Sequence, residues 1–396
     1  MLLVGFGGRR ERPNGAMDWA DPDAARFEVD SVIARDIAEL HVGGVVLFSM
    51  PRAPAAGPGG RNIESPAQLA SLSSALQAFS ARSREQQRLP PLPLLVAIDQ
   101  EGGRVDRLPA RLGFAQRTVS ARAIGAHAQF ARRSPEPAQR ARQLSRAYAG
   151  EMARQLRALG INLNLAPCVD VDVNPRSPSI GALGRSFSSS PEIVASEAAE
   201  FVRGFHDHGV LAALKHFPGH GSARGDTHAG PVDVSSTHRR EDELLPYRRL
   251  IERGYQDVIL ASHVVNGAID RTQCTPGAPD DPRTWCPASL SRATLSGLLR
   301  GELGFDGVIA ADDLTMGAIA REIPLERAIE RAIDAGVDLL ILGNHREHVT
   351  PRAVAAIAGL VESGRLSAER IHRSSERIRA LKQRLADTPP AQPWTR

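Results

Sequence analysis

The stretch AALKHFPGHGSARGDTHAG, Ala212 to Gly230, decides how this chain folds. It opens with an apolar run too short for an independent helix, and that run meets two polar residues, Lys215 and His216. A glycine-punctuated loop follows and delivers Asp226, Thr227 and His228. A near-continuous apolar run suggests a strand buried on both faces, as in a parallel sheet. Charge at the end of such a strand is costly unless something there uses or pairs it.

Seven further runs of this kind are LLVGF (2–6), GVVLF (44–48), LLVAID (94–99), NLNLAP (162–167), VILASH (258–263), GVIAAD (307–312) and LLILG (339–343). Helical patterns separate them. Ser65-Pro66 opens one, with Ser as N-cap and Pro at the first helical position. Residues 138–159 form another before Gly160, Ser190-Pro191 starts one that Gly209 ends, and residues 324–335 precede Gly336. Thr350-Pro351 opens a helix near the C-terminus, and Ser367 caps the next, which runs to about Leu385. Strand–helix alternation repeated eight times predicts an α/β fold, a single (β/α)8 TIM-type barrel. A doubly wound open sheet competes with it, since alternation alone does not show closure. The barrel is expected over residues 1–385, with a Pro-rich, disordered tail at 386–396. Segments 51–62 and 267–287 read as Pro/Gly-rich loops.

Composition narrows the function. The chain has 396 residues, enough for one large barrel, and 49 basic against 45 acidic residues leave a net charge of only +4. No long run of Lys or Arg occurs and there are only three Tyr, so no nucleic-acid partner is expected. No apolar run approaches the ~18 residues of a membrane span, so no membrane partner is expected either. MLLVGFGGRR has no charged n-region and does not read as a signal peptide. Cys168, Cys274 and Cys286 are an odd count without metal spacing, read as reduced cysteines of a cytoplasmic protein. Cys274 and Cys286 would pair if the protein were exported. The histidine pair in FHDHG (205–209) sits at a helix C-terminus, where cationic side chains suit the helix dipole. No metal and no cofactor are expected.

In a barrel, the strand C-termini converge on one face, where active sites lie. Asp99, Lys215, His216, His263 and Asp312 would gather there. Asp312 could serve as nucleophile, base or ligand, and period-two alternation lets only one of Asp312 and Asp313 face the mouth. His228 lies on a loop punctuated by Gly219, Gly221, Gly225 and Gly230, and Asp226 stands two residues before it, placed to orient its ring. Lys215 and His216 are adjacent, so one must turn away unless a bulge intervenes near Pro218. Asp99 and Arg107, and Arg185 in GALGRSF, could hold hydroxyls of a polar ligand.

KHFPGHG followed by DTH resembles the signature of family 3 glycoside hydrolases, in their β-N-acetylhexosaminidase (NagZ-type) branch. VGGVVLF, IDQEGGRVDRL, GRSF and GVIAADDLTMGAI agree in the same order, over roughly residues 40–320. The resemblance implies Asp312 as catalytic nucleophile, His228 as general acid/base and Asp226 as the residue that orients it. It implies Asp99, Arg107, Arg185, Lys215 and His216 as the residues that hold the sugar. It further implies a single barrel that releases terminal N-acetylglucosamine from peptidoglycan fragments, a small-molecule carbohydrate, during cell-wall recycling. Two features depart from the pattern. Ala310-Ala311 stands where Ser or Phe usually precedes the Asp pair, and the 267–287 segment is longer than typical and expected to reshape the leaving-group side. The implied chemistry is retaining hydrolysis through a covalent glycosyl–enzyme. The rivals are a phosphorylase of the same family, a Schiff-base aldolase using Lys215, and a non-catalytic sugar-binding barrel.

Overall fold

All eight apolar runs form strands of one closed, parallel barrel. The computed structural model describes residues 1–6, 10–11, 17–18, 31–48, 62–115, 118–132, 134–343 and 348–387. The strands are β1 (Leu2–Gly5), β2 (Gly44–Leu47), β3 (Leu95–Ile98), β4 (Leu163–Asn164), β5 (Leu211–Phe217), β6 (Val258–Ala261), β7 (Val308–Ala311) and β8 (Leu339–Leu342). Each pairs with its neighbours in chain order, and β1 pairs with both β2 and β8. That last pairing closes the sheet and excludes the open doubly wound arrangement.

Helices cover the outside. They are α1 (Ser31–Ala38), α2 (Pro66–Gln86), α3 (Ala121–Ala131), α4 (Pro135–Ala158), α5 (Pro191–His206), α6 (Arg240–Glu252), α7 (Gly317–Ala320), α8 (Leu325–Ala335), α9 (Val349–Glu362) and α10 (Ala368–Ala386). A π-type helix, Ala293–Glu302, joins β6 to β7. The caps act as the sequence predicts: Ser65 Oγ accepts from the Gln68 amide and Ser367 Oγ from the Arg370 amide. Thr350-Pro351 lies one residue inside α9 rather than before it. Most of the 51–62 loop, and the tail beyond Asp387, lie outside the described residues.

Strand alternation splits the core in two. Leu3, Val46, Leu95, Leu163, Leu211, Val258 and Leu339 pack inside the barrel, while Val4, Val45, Val96, Leu214, Ile259 and Leu340 pack against the helices. Both faces are therefore dry, which is why each strand reads as an unbroken apolar run. Ile378, Leu381 and Leu385 of α10 join the inner cluster. Arg370, Ser374 and Arg384 of the same helix bond Val337 O, Asp338 and Asp257, residues that stand just before β8 and β6. Helix α10 thus closes the N-terminal end of the barrel, which leaves the C-terminal end as the open face.

The 267–287 segment departs from expectation. Cys274 and Cys286 form a disulfide, with Cα atoms 4.8 Å apart, so the reading of reduced cysteines is corrected; only Cys168 is free. Trp285 packs against Gly267, where any Cβ would meet its ring at 2.1 Å, and the Arg271 guanidinium stands 5.3 Å from the ring centre. The segment is a closed, packed loop. No helix among the described residues is long and apolar enough to cross a membrane.

Leu381 is 2% exposed at the sealed end. Leu381→Ala is expected to destabilise the fold by about 2–5 kcal/mol. Denaturant unfolding checks this, and a loss under about 1 kcal/mol would mean that α10 merely lies on the barrel.

Candidate active site

The polar strand ends meet at the open face. Lys215, 2% exposed, donates from Nζ to Asp99 Oδ1 at 2.7 Å and lies 2.7 Å from Glu101 Oε1. Arg185 forks onto Glu101, Nε to Oε2 at 2.8 Å and Nη2 to Oε1 at 2.7 Å. Burial alone would raise the Glu101 carboxyl pKa, but the two cations outweigh it and hold it far below the ordinary range. Burial would likewise pull Lys215 down, and Asp99 and Glu101 push it above its usual value instead. Lys215 is therefore a charged ammonium held by two carboxylates, which is poor chemistry for a Schiff base.

His216 extends the network. Its Nε2 lies 3.2 Å from Arg185 Nη2 and its Nδ1 lies 2.7 Å from Asp170 Oδ2. Asp170 also accepts from the His220 amide at 2.7 Å, and despite burial its carboxyl is held down at about 2 by the histidines around it. Lys215 and His216 both face this network because β5 bulges: Lys215 pairs with Leu260 and Phe217 with Ala261, so two steps on β5 match one on β6.

Cys168, Asp170 and His216 bring a thiol, a carboxylate and an imidazole within 4.8 Å of one another. A metal on His216 Nδ1 would leave Nε2 protonated against the Arg185 donor. Cys168 Sγ already donates to Asp170, and burial pushes its thiol pKa well up, away from the thiolate a metal needs. The donors fit a hydrogen-bonded triad better than a metal centre.

Asp312 extends beyond β7, partly buried. Its carboxylate accepts the Asp313 amide at 2.8 Å. Burial would raise its pKa, but His263, His216 and that amide outweigh it and keep the group ionised. Asp313 serves the backbone instead: its Oδ1 accepts from the Thr315 amide, the Thr315 hydroxyl and the Gly343 amide. Both aspartates reach the cavity at the mouth, but Asp313 Oδ1 is tied to its own turn and to Gly343, so Asp312 is the one placed to meet a ligand.

His228 Nδ1 lies 2.7 Å from Asp226 Oδ1, and its own amide donates to the same oxygen at 2.9 Å. Its side chain is 66% exposed, as a surface histidine would be, yet it lines one cavity with Asp312. That cavity, about 230 Å3, is also lined by Asp99, Arg107, Phe48, Leu165 and Met316. The first half of the loop bonds Asp170, Asn174 and Glu243, and two further contacts hold its second half. Val232–Asp233 pairs in parallel with Val264–Val265, and the Ala318 amide donates to Thr227 O at 3.0 Å. Gly317 permits the second, since a Cβ there would stand 2.5 Å from His228 O.

Of the eight residues singled out, Asp99, Arg107, His228 and Asp312 line the cavity, while Lys215, His216 and Arg185 stand buried beneath it and Asp226 sits against His228. Glu101, Asp170 and Gly317 were not anticipated. Glu101 was legible from its place two residues after Asp99, on the same side of an extended chain. None of the residues lining this cavity comes from 267–287, so that loop does not reach it directly. A larger groove of about 490 Å3 lies outside the barrel among α3, α4, α5 and α6, lined mostly by arginines and glutamates and by none of these residues.

The family model for the glycosyl hydrolase family 3 N terminal domain matches residues 18–381. Beta-hexosaminidase A of Pseudoalteromonas piscicida is 32% identical over 386 residues, covering 96% of this chain and 58% of the relative. A beta-hexosaminidase of Pseudomonas aeruginosa is 36% identical over 307 residues, covering 77% of this chain and 76% of that one. Among solved structures, a glycoside hydrolase family 3 beta-N-acetylglucosaminidase from a Paenibacillus species superposes with TM-score 0.76 at 36% identity, over 100% of this chain and 63% of that one. A beta-N-acetylhexosaminidase from Beutenbergia cavernae superposes with TM-score 0.73 at 27% identity, over 96% of each chain. The chain therefore spans less than two thirds of the Pseudoalteromonas and Paenibacillus proteins.

Gly317→Ala is expected to push the 219–230 loop off α7 without unfolding the barrel. Hydrogen exchange in that loop should rise while the global denaturation midpoint holds; unchanged exchange would refute the close packing.

Proposed function

The chain belongs to glycosyl hydrolase family 3, in its β-hexosaminidase branch, and from that membership we propose that it is a retaining β-N-acetylhexosaminidase releasing terminal N-acetylglucosamine. The observation that carries the reading is one cavity lined by both an ionised Asp312 and the Asp226-held His228.

The Asp312 carboxylate attacks the anomeric carbon, and the bond to the leaving oxygen breaks as His228 protonates that oxygen. Asp226 engages Nδ1, which leaves Nε2 as the atom that moves the proton. Asp226 stays ionised throughout. Burial would raise its pKa, but the His228 amide and ring outweigh that. Water then attacks the glycosyl–Asp312 ester, His228 Nε2 takes its proton, and the sugar leaves with retained configuration. Asp99 and Arg107 contact sugar hydroxyls from the cavity wall. Lys215, Arg185 and His216 hold the sugar from beneath, Lys215 through Asp99.

The natural glycoside in this reading is a peptidoglycan fragment, with a chitooligosaccharide as the alternative; both rest on the resemblance. The Cys274–Cys286 disulfide weighs against the cytoplasmic setting expected from the sequence. A phosphorylase remains the second reading, because a histidine acid/base does not repel incoming phosphate as a carboxylate would.

4-Nitrophenyl N-acetyl-β-glucosaminide should be cleaved and the matching glucoside spared. A rate unchanged by phosphate, with free sugar as product, identifies a hydrolase; a sugar 1-phosphate product identifies the phosphorylase. Asp312→Ala should abolish turnover. His228→Ala should cost about 10²–10⁴-fold on poor leaving groups and far less on the aryl substrate. Equal losses on both substrates would remove His228 from the acid role.

A further inference from the structure

His263 follows β6 at a strand end, and none of the steps above uses it. Its ring is fully buried, 0% exposed, and engaged at both nitrogens. Nε2 lies 3.0 Å from the backbone oxygen of Asp313, and Nδ1 lies 2.7 Å from Ser289 Oγ. A carbonyl oxygen only accepts, so Nε2 carries the proton. In the neutral ring Nδ1 is then an acceptor and the Ser289 hydroxyl donates to it. The charged groups near the ring are Asp312, Asp313 and His228. Burial lowers the pKa of His263, which favours the neutral, Nε2-protonated form.

Ser289, also 0% exposed, sits in the short turn Ala288–Leu290 that ends the disulfide-closed loop. Its amide donates to Ser262 O at 2.9 Å, so its position is fixed from β6 as well. On the other side of the ring, the Asp313 amide is the donor that holds the Asp312 carboxylate. One hydrogen-bonded line therefore runs from the turn that follows the 267–287 loop through an imidazole to the residue after Asp312.

We propose that His263 is a positioning residue for the nucleophile: its Nε2–H holds the carbonyl of Asp313, and so anchors the residue whose amide, on the other side of its Cα, aims the Asp312 carboxylate, while Ser289 fixes the tautomer. The proposal rests on Asp312 being the nucleophile. Backbone displacement of about 1 Å at a nucleophile lowers the rate on the order of 10²-fold.

The test uses full-length His263→Leu, His263→Gln and Ser289→Ala with 4-nitrophenyl N-acetyl-β-glucosaminide. His263→Leu should lose about 10²-fold in kcat with KM near wild type. His263→Gln, whose amide supplies a donor in place of Nε2, should recover at least about tenfold of that. Ser289→Ala should fall between, and the acid limb of kcat/KM should move to higher pH in His263→Leu as Asp312 loses both the His263 interaction that lowers its pKa and its ordered amide. Nitrogen-15 NMR of the imidazoles should show a neutral, Nε2-protonated ring that does not titrate near neutral pH and that is missing from the His263→Leu spectrum. Leu and Gln variants equally impaired, or a folded His263→Leu with unchanged kcat and acid limb, would overturn the proposal. Should both His263 variants fail to fold, Ser289→Ala decides it by the same kcat and acid-limb readouts. A wild type that fails to turn over, or an active Asp312→Ala, defeats the functional reading itself and takes this proposal with it. The NMR signature reports the ring independently of activity.

Discussion

Two carboxylates and two cations alternate at the cavity's base, with Asp99 in its wall and Lys215, Glu101 and Arg185 bonded behind it. Removing any one would strand buried charge, at a cost of about 3–5 kcal/mol where a buried pair is broken. Together they tie the end of β3 to the end of β5 and to the Arg185 loop, and they are satisfied only when those three segments take one relative position. The barrel below supplies apolar burial and tolerates conservative exchange in its core. The charged layer tolerates much less, and it is what turns a generic barrel mouth into a defined hollow.

That layer also separates the side chains that support from those that recognise. Lys215 bonds Asp99 and Glu101, and Arg185 forks onto Glu101 while its Nη1 donates to Ser179 O, so the two cations also set the position of Asp99 and Glu101. Asp99 keeps its second oxygen 3.9 Å from Arg107 Nη2, and both residues line the cavity, so the groups a hydroxyl would meet are these. The bulge at His216 is what allows consecutive residues of β5 to serve the same layer, with His216 handing the network on to Asp170.

The barrel was legible because parallel strands buried on both faces leave an unbroken apolar signature, and because polar residues close several of those runs at their C-terminal ends. Asp312 and His228 were legible through motif and loop chemistry. What local sequence does not show is partnership across the fold. Glu101 meets Arg185 from 84 positions away, and Asp170 meets His216 from 46. Gly317 looks like an ordinary residue of a short helix until the His228 backbone arrives against it. The cysteine reading failed for a related reason: an odd count says nothing about the two thiols that a tight turn around Pro279 and Pro282 brings together.

The nucleophile and the acid/base are held in opposite ways, and the chemistry asks for that difference. Asp312 must attack along one line, so a buried amide aims it and the following residue is tied to Thr315, Gly343 and His263. His228 must protonate an oxygen in one step and admit water in the next, so it sits two-thirds exposed on a glycine-rich loop. Its hydrogen-bonded side-chain partner among the described residues is Asp226, which travels with it. A dyad carried on one loop keeps its internal geometry whether or not the loop is seated, because the 2.7 Å bond between Asp226 and His228 crosses no hinge. Seating is then decided elsewhere, at the Thr227–Ala318 contact over Gly317, only a few residues beyond Asp312 in the chain. The loop that brings the proton docks on the element that follows the nucleophile, so arrival of the acid and alignment of the carboxylate share one piece of backbone.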